Sequence, residues 1–204
     1  VGSEMCIRDR GTLAALSEKT SATSGRGMPL GAPDPTTCLN QQMDIRTARG
    51  TDLAAITRIY NHYVAGSHAT FDVSAFAVAD RQPWFDQFDG ERYRCLVAEE
   101  DGMLLGYACS MPFKAKAAYQ TSVEVSVYVA AETHRRGIGT ALYQALLPAL
   151  EAEDLHRAYA GIAQPNEPSM ALHAAFGFVQ AAHYREVGRK FDRYWDVIWL
   201  ERAL

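Results

Sequence analysis

The segment that most constrains the fold is "TSVEVSVYVAAETHRRGIGTALYQALL", in which a strand pattern passes through a glycine turn into a helix pattern. Every second residue from 123 to 129 is a valine, and this alternation predicts a strand with two different faces. One face carries Val123, Val125, Val127 and Val129, and the other carries Glu124, Ser126 and Tyr128. A chain that joins strand to helix this way is typical of a mixed α/β protein.

The turn between strand and helix has the composition of a phosphate site. Glycines permit a positive φ and a close backbone approach, and the first N–H groups of the next helix have no intrahelical partners. The predicted site comprises Arg135, Arg136, Gly137, Ile138, Gly139 and Thr140. The spacing matches neither G-x-x-x-x-G-K-[ST] nor G-x-G-x-x-G, which disfavours a nucleoside triphosphate or a Rossmann dinucleotide. The alternative is a loop with two solvated arginines before a helix that begins at a glycine.

Bulk composition limits the partners. The chain has 204 residues and a formal net charge of -4, so nothing favours nucleic acid or an anionic membrane surface. No stretch is apolar over the ~20 residues that a membrane-spanning helix needs. The four cysteines show no short pairing, so we expect no metal site and a reducing compartment, by default the cytoplasm.

The chain divides into an extension, residues 1–42, and a body, residues 43–204. The extension is rich in Ser, Thr, Gly and Pro and has no Phe, Tyr or Trp, so it buries little apolar surface. We expect it to be disordered, or its opening "VGSEMCIRDR" to be a translated sequencing artefact with the natural start at Met28 or Met43. The two alternatives stay open at this point.

Strands and helices interleave along the body. Asp101-Gly102 joins two apolar runs and predicts a hairpin, so the sheet should be mixed rather than all parallel. Further strands are predicted at 44–49, 157–163 and 194–204, and further helices at 53–64, near the end of 68–88, at 138–154 and from about Pro168 to Gly177. The helix at 138–154 has an apolar stripe of Leu142, Leu146, Ala149 and Leu150. Pro148 lies inside it and is expected to kink or end it.

The order of strand, R-x-x-G-x-G-type turn, helix, strand, then Asn166 and a helix ending in "GF" resembles the GNAT superfamily of N-acetyltransferases. The resemblance covers residues 43–203 and implies the GNAT fold, a mixed and mostly antiparallel central sheet flanked by helices. It also implies that the turn binds the pyrophosphate of acetyl-CoA, with no metal. The sequence departs from the family pattern at His134, where Gln or Arg is usual.

Five blocks, "PFKAKAAYQ", "VEVSVYV", "HRRGIGTALY", "QPNEPSMALHAAFGF" and "RYWDVIWLERAL", are similar to the phosphinothricin acetyltransferase group. The resemblance implies acetylation of a small amino acid or analogue, such as phosphinothricin or methionine sulfoximine or sulfone. It also implies a homodimer, with no nucleic acid or membrane partner. Two alternatives stay open: acetylation of a protein or peptide amine, and a non-catalytic acyl-CoA-binding sensor.

The resemblance assigns two catalytic residues. An ammonium group must lose a proton before it attacks a thioester, and Glu124 matches the family's general base. Without the resemblance, Glu124 reads as a solvated residue on the polar face of a strand. His173, seven residues after Asn166, stands where the superfamily has the tyrosine that protonates the leaving thiolate. Its alternative is a buried histidine on an amphipathic helix.

The remaining assignments concern binding. The resemblance implies that a backbone N–H at a bulge in this strand stabilises the oxyanion, and it assigns that N–H to Val127. The resemblance assigns coenzyme contacts also to Val129, Asn166 and Ser169, and Asn166 could equally cap its helix. Substrate contacts fall on Lys114, Lys116 and Tyr119, where Lys116 replaces the usual Arg and so offers a point charge in place of a bidentate donor. The aromatic residues Phe71, Trp84, Trp195 and Trp199 are expected to pack in the core or an interface.

Overall fold

The computed structural model describes residues 43–133 and 136–204. The extension 1–42, His134 and Arg135 lie outside the described residues, so the expectations about them stay untested. Seven strands form one sheet in the order β1-β2-β3-β4-β5-β7-β6. Only the β4–β5 pair is parallel. The predicted mixed, mostly antiparallel sheet flanked by helices is confirmed.

The strands are β1 Asp44–Thr47, β2 Cys95–Glu100, β3 Met103–Pro112, β4 Ser122–Val129, β5 Arg157–Ala163, β6 Val179–Lys190 and β7 Arg193–Ala203. The helices are α1 Leu53–Gly66, α2 Gln82–Phe85, α3 Ile138–Glu151 and α4 Glu167–Ala175. Positive φ angles at Asp101 and Gly102, 50° and 79°, form the predicted hairpin turn. Gly177 follows α4 with a φ of 78°, in agreement with its expected place at the helix end.

Two expectations about the elements are corrected. The helix α3 runs past Pro148 and ends at Glu151, because the proline lies in the last turn on the exposed side. The twelve-residue strand β6 was not predicted at all. Its sequence, "VQAAHYREVGRK", does not alternate, and its pairing with β7 shifts register twice.

Both faces of β4 are buried, although only one was expected to be. The valine face packs under α3 in a cluster with Leu142, Leu146 and Leu150. The opposite face lies against α1, where four tyrosines are almost fully buried: Tyr60, Tyr63, Tyr107 and Tyr128. The helix α1 packs on β3 and β4, so it covers only part of this side of the sheet.

The β6–β7 hairpin is fastened to the segment after α1. The Nζ of Lys190 is buried and donates to the carbonyl oxygen of Thr70 at 2.7 Å. The Trp195 indole stacks on His68 with ring centroids 4.0 Å apart. The backbone at Gly188 lies directly on the Phe71 ring, where a Cβ would come within 1.9 Å of a ring carbon. These contacts fasten β6 and β7 to the segment that follows α1.

In the described part of the chain, none of the helices has the length and apolarity required to cross a bilayer.

Candidate active site

The central feature of the site is a separation between β4 and β5. The two parallel strands pair over three positions only, from Ser122 with Arg157 to Glu124 with Tyr159. The strand β4 nevertheless stays paired with β3 as far as Val129, and β5 stays paired with β7 as far as Ala163. The expected bulge is therefore not in the β3–β4 ladder, whose register is unbroken. An opening forms instead because β4 and β5 diverge.

Backbone N–H groups of β4 face this opening. The N–H of Ala130 donates to the Leu105 carbonyl on β3 at 2.8 Å. Because directions alternate along an antiparallel ladder, the N–H groups of Val127 and Val129 point the other way, toward β5. Both lie beyond the last β4–β5 pair. They are therefore available as donors to a ligand that enters the opening.

The glycine turn follows β4 directly, and its two glycines have different reasons to be there. Gly137 precedes α3 with a φ of 73°, which favours glycine, and a Cβ would meet nothing within 4 Å. A Cβ on Gly139 would lie 3.1 Å from the Leu172 side chain of α4 and 3.8 Å from that of Val127. The first intrahelical bond runs from the Ala141 N–H to the Gly137 carbonyl at 3.0 Å. The preceding N–H groups of α3 are thus left for an anion.

The arginines of the turn are only partly described, because Arg135 lies outside the described residues. Arg136 is paired, with Nη2 2.6 Å from the Glu100 carboxylate. This pairing raises the pKa of Arg136 and lowers the pKa of Glu100. A phosphate at the turn would therefore compete with Glu100 for this guanidinium.

A cleft of about 660 Å³ adjoins the start of the strand separation, on the side of the sheet that carries α1. Its residues come from the loop after β3 and from β4, β5, β6 and β7. They are Phe113, Lys114, Ala115, Glu124, Tyr159, Ala181, Ala182, Tyr184, Trp199 and Glu201. Glu124 is 6% exposed and belongs to the last β4–β5 pair, so it lies where the cleft meets the opening. A volume in the range of about 300–1,000 Å³ suits a small ligand.

Aromatic rings form one wall of the cleft. Phe113 stacks on Tyr159 with centroids 4.2 Å apart and meets Trp199 edge-on at 5.8 Å. Gly161 makes room for the indole, since a Cβ there would lie 3.2 Å from a Trp199 ring carbon. Trp199 thus packs against neighbouring residues, as expected, and its ring also lines the cleft. Trp84 and Trp195 lie outside the cleft lining, as expected.

His173 lies apart from the cleft, packed between α3 and α4. It is 0% exposed; its Nδ1 donates to the Ser169 carbonyl at 2.8 Å and its Nε2 accepts from the Tyr143 hydroxyl at 3.0 Å. Burial lowers the pKa of His173 to about 4, against which the Ser169 contact acts weakly. The one N–H proton of the neutral ring is donated to the Ser169 carbonyl and Nε2 is occupied by Tyr143, so neither nitrogen is free to protonate a thiolate. These surroundings therefore do not support the role of acid that the resemblance implies.

Asn166 caps α4. It is almost fully buried, and its Oδ1 accepts from the Ser169 N–H at 3.2 Å. The helix-cap alternative is thus confirmed, and Ser169 is buried one turn into the same helix. Their coenzyme contacts stay a prediction.

The three residues predicted to bind substrate do not share one place. Lys114 lines the cleft with Glu124, whereas Lys116 and Tyr119 are exposed on the loop beyond it. Tyr159 and Glu201 line the cleft but were missed. The only local signal was their alternation within "RAYAGIA" and "VIWLERA", which does not reveal that the two strands are neighbours.

Comparison with known proteins agrees with this architecture. Residues 45–199 match the model of the "Acetyltransferase (GNAT) domain". A phosphinothricin N-acetyltransferase of Streptomyces coelicolor is 53% identical over 166 residues, which are 80% of this chain and 97% of that protein. An L-methionine sulfoximine/L-methionine sulfone acetyltransferase of Pseudomonas aeruginosa is 35% identical over 78% of this chain and 94% of that protein.

A solved structure extends the comparison to three dimensions. The GNAT superfamily phosphinothricin acetyltransferase of Sinorhizobium meliloti, in complex with AcCoA, superposes with a TM-score of 0.76. It is 32% identical, and the match covers 79% of this chain and 88% of that one. The matched family model spans the diverging strands, the glycine turn and Glu124. This chain belongs to the GNAT family of acetyltransferases.

Proposed function

We propose that this enzyme transfers an acetyl group from acetyl-CoA to the amine of a small amino acid or analogue, of the phosphinothricin or methionine sulfoximine and sulfone type. The observation that carries the proposal is the position of Glu124, between a small-ligand cleft and the opening between β4 and β5. The relatives named for these substrates support the same class.

The residues of the opening fit a coenzyme that has a diphosphate and an amide-containing arm. The α3 N–H groups after Gly137 would hold the diphosphate, the N–H of Val129 would hold the arm, and the N–H of Val127 would stabilise the oxyanion. The absence of a Cβ at Gly139 keeps α3 close to α4 at this place. When bound, acetyl-CoA supplies the acetyl group as a reactive thioester. We expect Asn166 and Ser169 to border the same opening.

Glu124 would act on the substrate nitrogen. A carboxylate there takes the ammonium proton, directly or through a water, and leaves an amine lone pair free to attack. Lys114, on the same cleft, would pair with the substrate carboxylate as a point charge. Lys116 and Tyr119 would act only at the outer rim, since neither lines the cleft.

Cleft size weighs against the alternative of a peptide substrate. Glu124 is almost fully buried, so an amine on a folded protein surface would have to extend into the cleft to reach it. The sensor alternative predicts coenzyme binding without any acetylated product. A thiol-release assay with acetyl-CoA separates all three. The panel comprises methionine sulfone, methionine sulfoximine, phosphinothricin, common amino acids, polyamines and a peptide.

The sharpest test of the proposal is Glu124→Gln. Because Gln cannot accept the proton, and a general base contributes roughly 10²–10⁴-fold, turnover at pH 7 should fall at least tenfold. Calorimetry with CoA should give nearly unchanged affinity. Glu91→Gln, which removes an exposed carboxylate away from the cleft, is the matched control and should keep full turnover. Unchanged turnover in Glu124→Gln would remove Glu124 from the mechanism.

The oligomeric state and the cellular location complete the proposal. A homodimer would cover the edge strand β6, which exposes the apolar side chains Val179 and Val187. Sedimentation equilibrium should then give twice the mass of one chain, and a monomer would contradict it. A cytoplasmic location accords with the free thiols of Cys95 and Cys109, and cell fractionation tests it.

A further inference from the structure

A second carboxylate faces Glu124 across the cleft. Register pairs Glu124 with Tyr159 on β5, and Tyr159 with Glu201 on β7. Laterally paired residues share one face of a sheet, so all three side chains rise from the same face, and all three line the cleft. With one strand between them, the backbones at Glu124 and Glu201 are about 10 Å apart. A small amino acid lying over Tyr159 would have one carboxylate near each end.

Positive charge in this cleft is scarce. Lys114 is the one basic residue among the described lining residues, and the wall beside it is aromatic. Glu201 takes part in none of the ion pairs found in residues 43–133 and 136–204. Burial first, and then the charge of Glu201, raise the pKa of the neighbouring Tyr159, whereas the charge of Arg157 lowers it; a hydrogen bond from the Tyr159 hydroxyl to Glu201 adds to the rise. The far end of the cleft thus carries the Glu201 carboxylate beside aromatic rings, and the nearby cation Arg157, two residues before Tyr159 on β5, is not among the lining residues.

We propose that Glu201 determines specificity for the side group of the acceptor amino acid, accepting a group with an N–H donor and disfavouring an anionic one. The inference rests on the proposed function, in which Glu124 meets the α-amine and Lys114 the α-carboxylate. The side group then lies toward Glu201. A carboxylate only accepts hydrogen bonds when ionised, and it repels a like charge strongly inside a cleft. Repulsion of this kind is an effective source of specificity.

Three analogues of similar shape isolate the effect. Methionine sulfoximine has an S=NH group, whereas methionine sulfone has oxygen in its place and no donor. Phosphinothricin has an ionised phosphinate. The native enzyme should therefore prefer the sulfoximine to the sulfone and disfavour phosphinothricin relative to both.

The test is Glu201→Gln in the full chain, since Gln retains the shape of Glu and removes the charge. Relative to the sulfone, kcat/KM for phosphinothricin should rise at least tenfold in the variant, and the preference for sulfoximine should fall at least threefold. Glu91→Gln again controls for net charge and should leave both ratios unchanged. Calorimetric Kd values for the three amino acids, on CoA-saturated protein, should shift in the same order.

Ratios of kcat/KM make the test independent of folding. A purely structural defect would lower kcat/KM for all three substrates by the same factor. Equal changes for the three, or unchanged ratios in both kinetics and binding, would overturn the role of Glu201. Failure of the proposed function has a different signature. In that case, the native protein would release no thiol with any of the three, while the Kd ratios would still report whether Glu201 discriminates among them.

Discussion

One side of the sheet contains two regions built from similar residues but arranged to opposite effect. Over β3 and β4, α1 covers the sheet, and Tyr60, Tyr63, Tyr107 and Tyr128 are packed together with almost no exposed surface. Over β5, β6 and β7, none of the helices within residues 43–133 and 136–204 packs closely on this side, and Tyr159, Trp199 and Tyr184 line a cleft. Aromatic residues therefore stabilise the covered region and are free to meet a ligand in the open one. Glu124 lies at the boundary between them.

The largest expected effect comes from removing one ring in each region. Tyr128→Ala leaves a cavity among three neighbouring tyrosines and should lower the free energy of unfolding by about 3–5 kcal/mol. Tyr184→Ala, where 51% of the side chain is exposed, should cost less than about 1 kcal/mol. Urea unfolding followed by circular dichroism measures both. Similar losses in the two variants would show that the regions are packed alike.

A smaller effect is expected on the pH dependence of stability, which should differ between a buried histidine and an exposed one. The pKa of His173 is about 4 in the folded protein and about 6.5 in an unfolded chain, so the unfolded state binds more protons between these values. Stability is therefore fully present above pH 6.5 and is lost as pH falls toward 4. Between pH 7 and pH 5, the contribution is about 2 kcal/mol.

His173→Gln should remove most of that pH-dependent loss, measured by urea unfolding at both pH values. His156→Gln replaces an exposed histidine and is the control, expected to keep the native pH dependence. If the two variants lose stability alike on acidification, the buried ring is not the titrating group.

The smallest expected effects come from removing two tyrosine hydroxyls in the covered region, which should change stability in opposite directions. The Tyr63 hydroxyl donates to the Val129 carbonyl, so Tyr63→Phe should cost about 1 kcal/mol. The Tyr107 hydroxyl is buried and has no hydrogen-bond partner in the part of the chain that the structure describes. Tyr107→Phe should therefore be neutral or stabilise by up to about 1 kcal/mol. Thermal unfolding of the two variants measures both changes. A rise in Tm for Tyr63→Phe, or a clear fall for Tyr107→Phe, would contradict the prediction.

Local signals in the sequence were sufficient for much of the fold. Alternating valines located β4, Asp101-Gly102 located the hairpin, and Pro168 with Gly177 bounded α4, because each depends on neighbouring residues only. The strand β6 escaped because it is an edge strand, exposed along most of its length, so burial imposes no alternation on it.

The same limit applies to the site, where only residues marked by a local pattern or motif could be predicted. Glu124 was predicted from the family resemblance of its strand, and it lies at the edge of the cleft. Tyr159 and Glu201 were missed because their proximity to Glu124 depends on β5 and β7 being neighbours, which is a property of the whole sheet. The enclosure of His173 by Tyr143 and Ser169 likewise requires the packing of α3 against α4.

The two glycines of the turn differ in whether a second substitution elsewhere could compensate for their replacement. At position 139 the obstacle to a methyl group is one leucine tip on α4, so shortening Leu172 should act as a second-site suppressor of Gly139→Ala. At position 137 the obstacle is the handedness of the backbone itself, and no change of neighbour restores it. One glycine is thus reversible by compensation, and the other is fixed for as long as this turn keeps its shape.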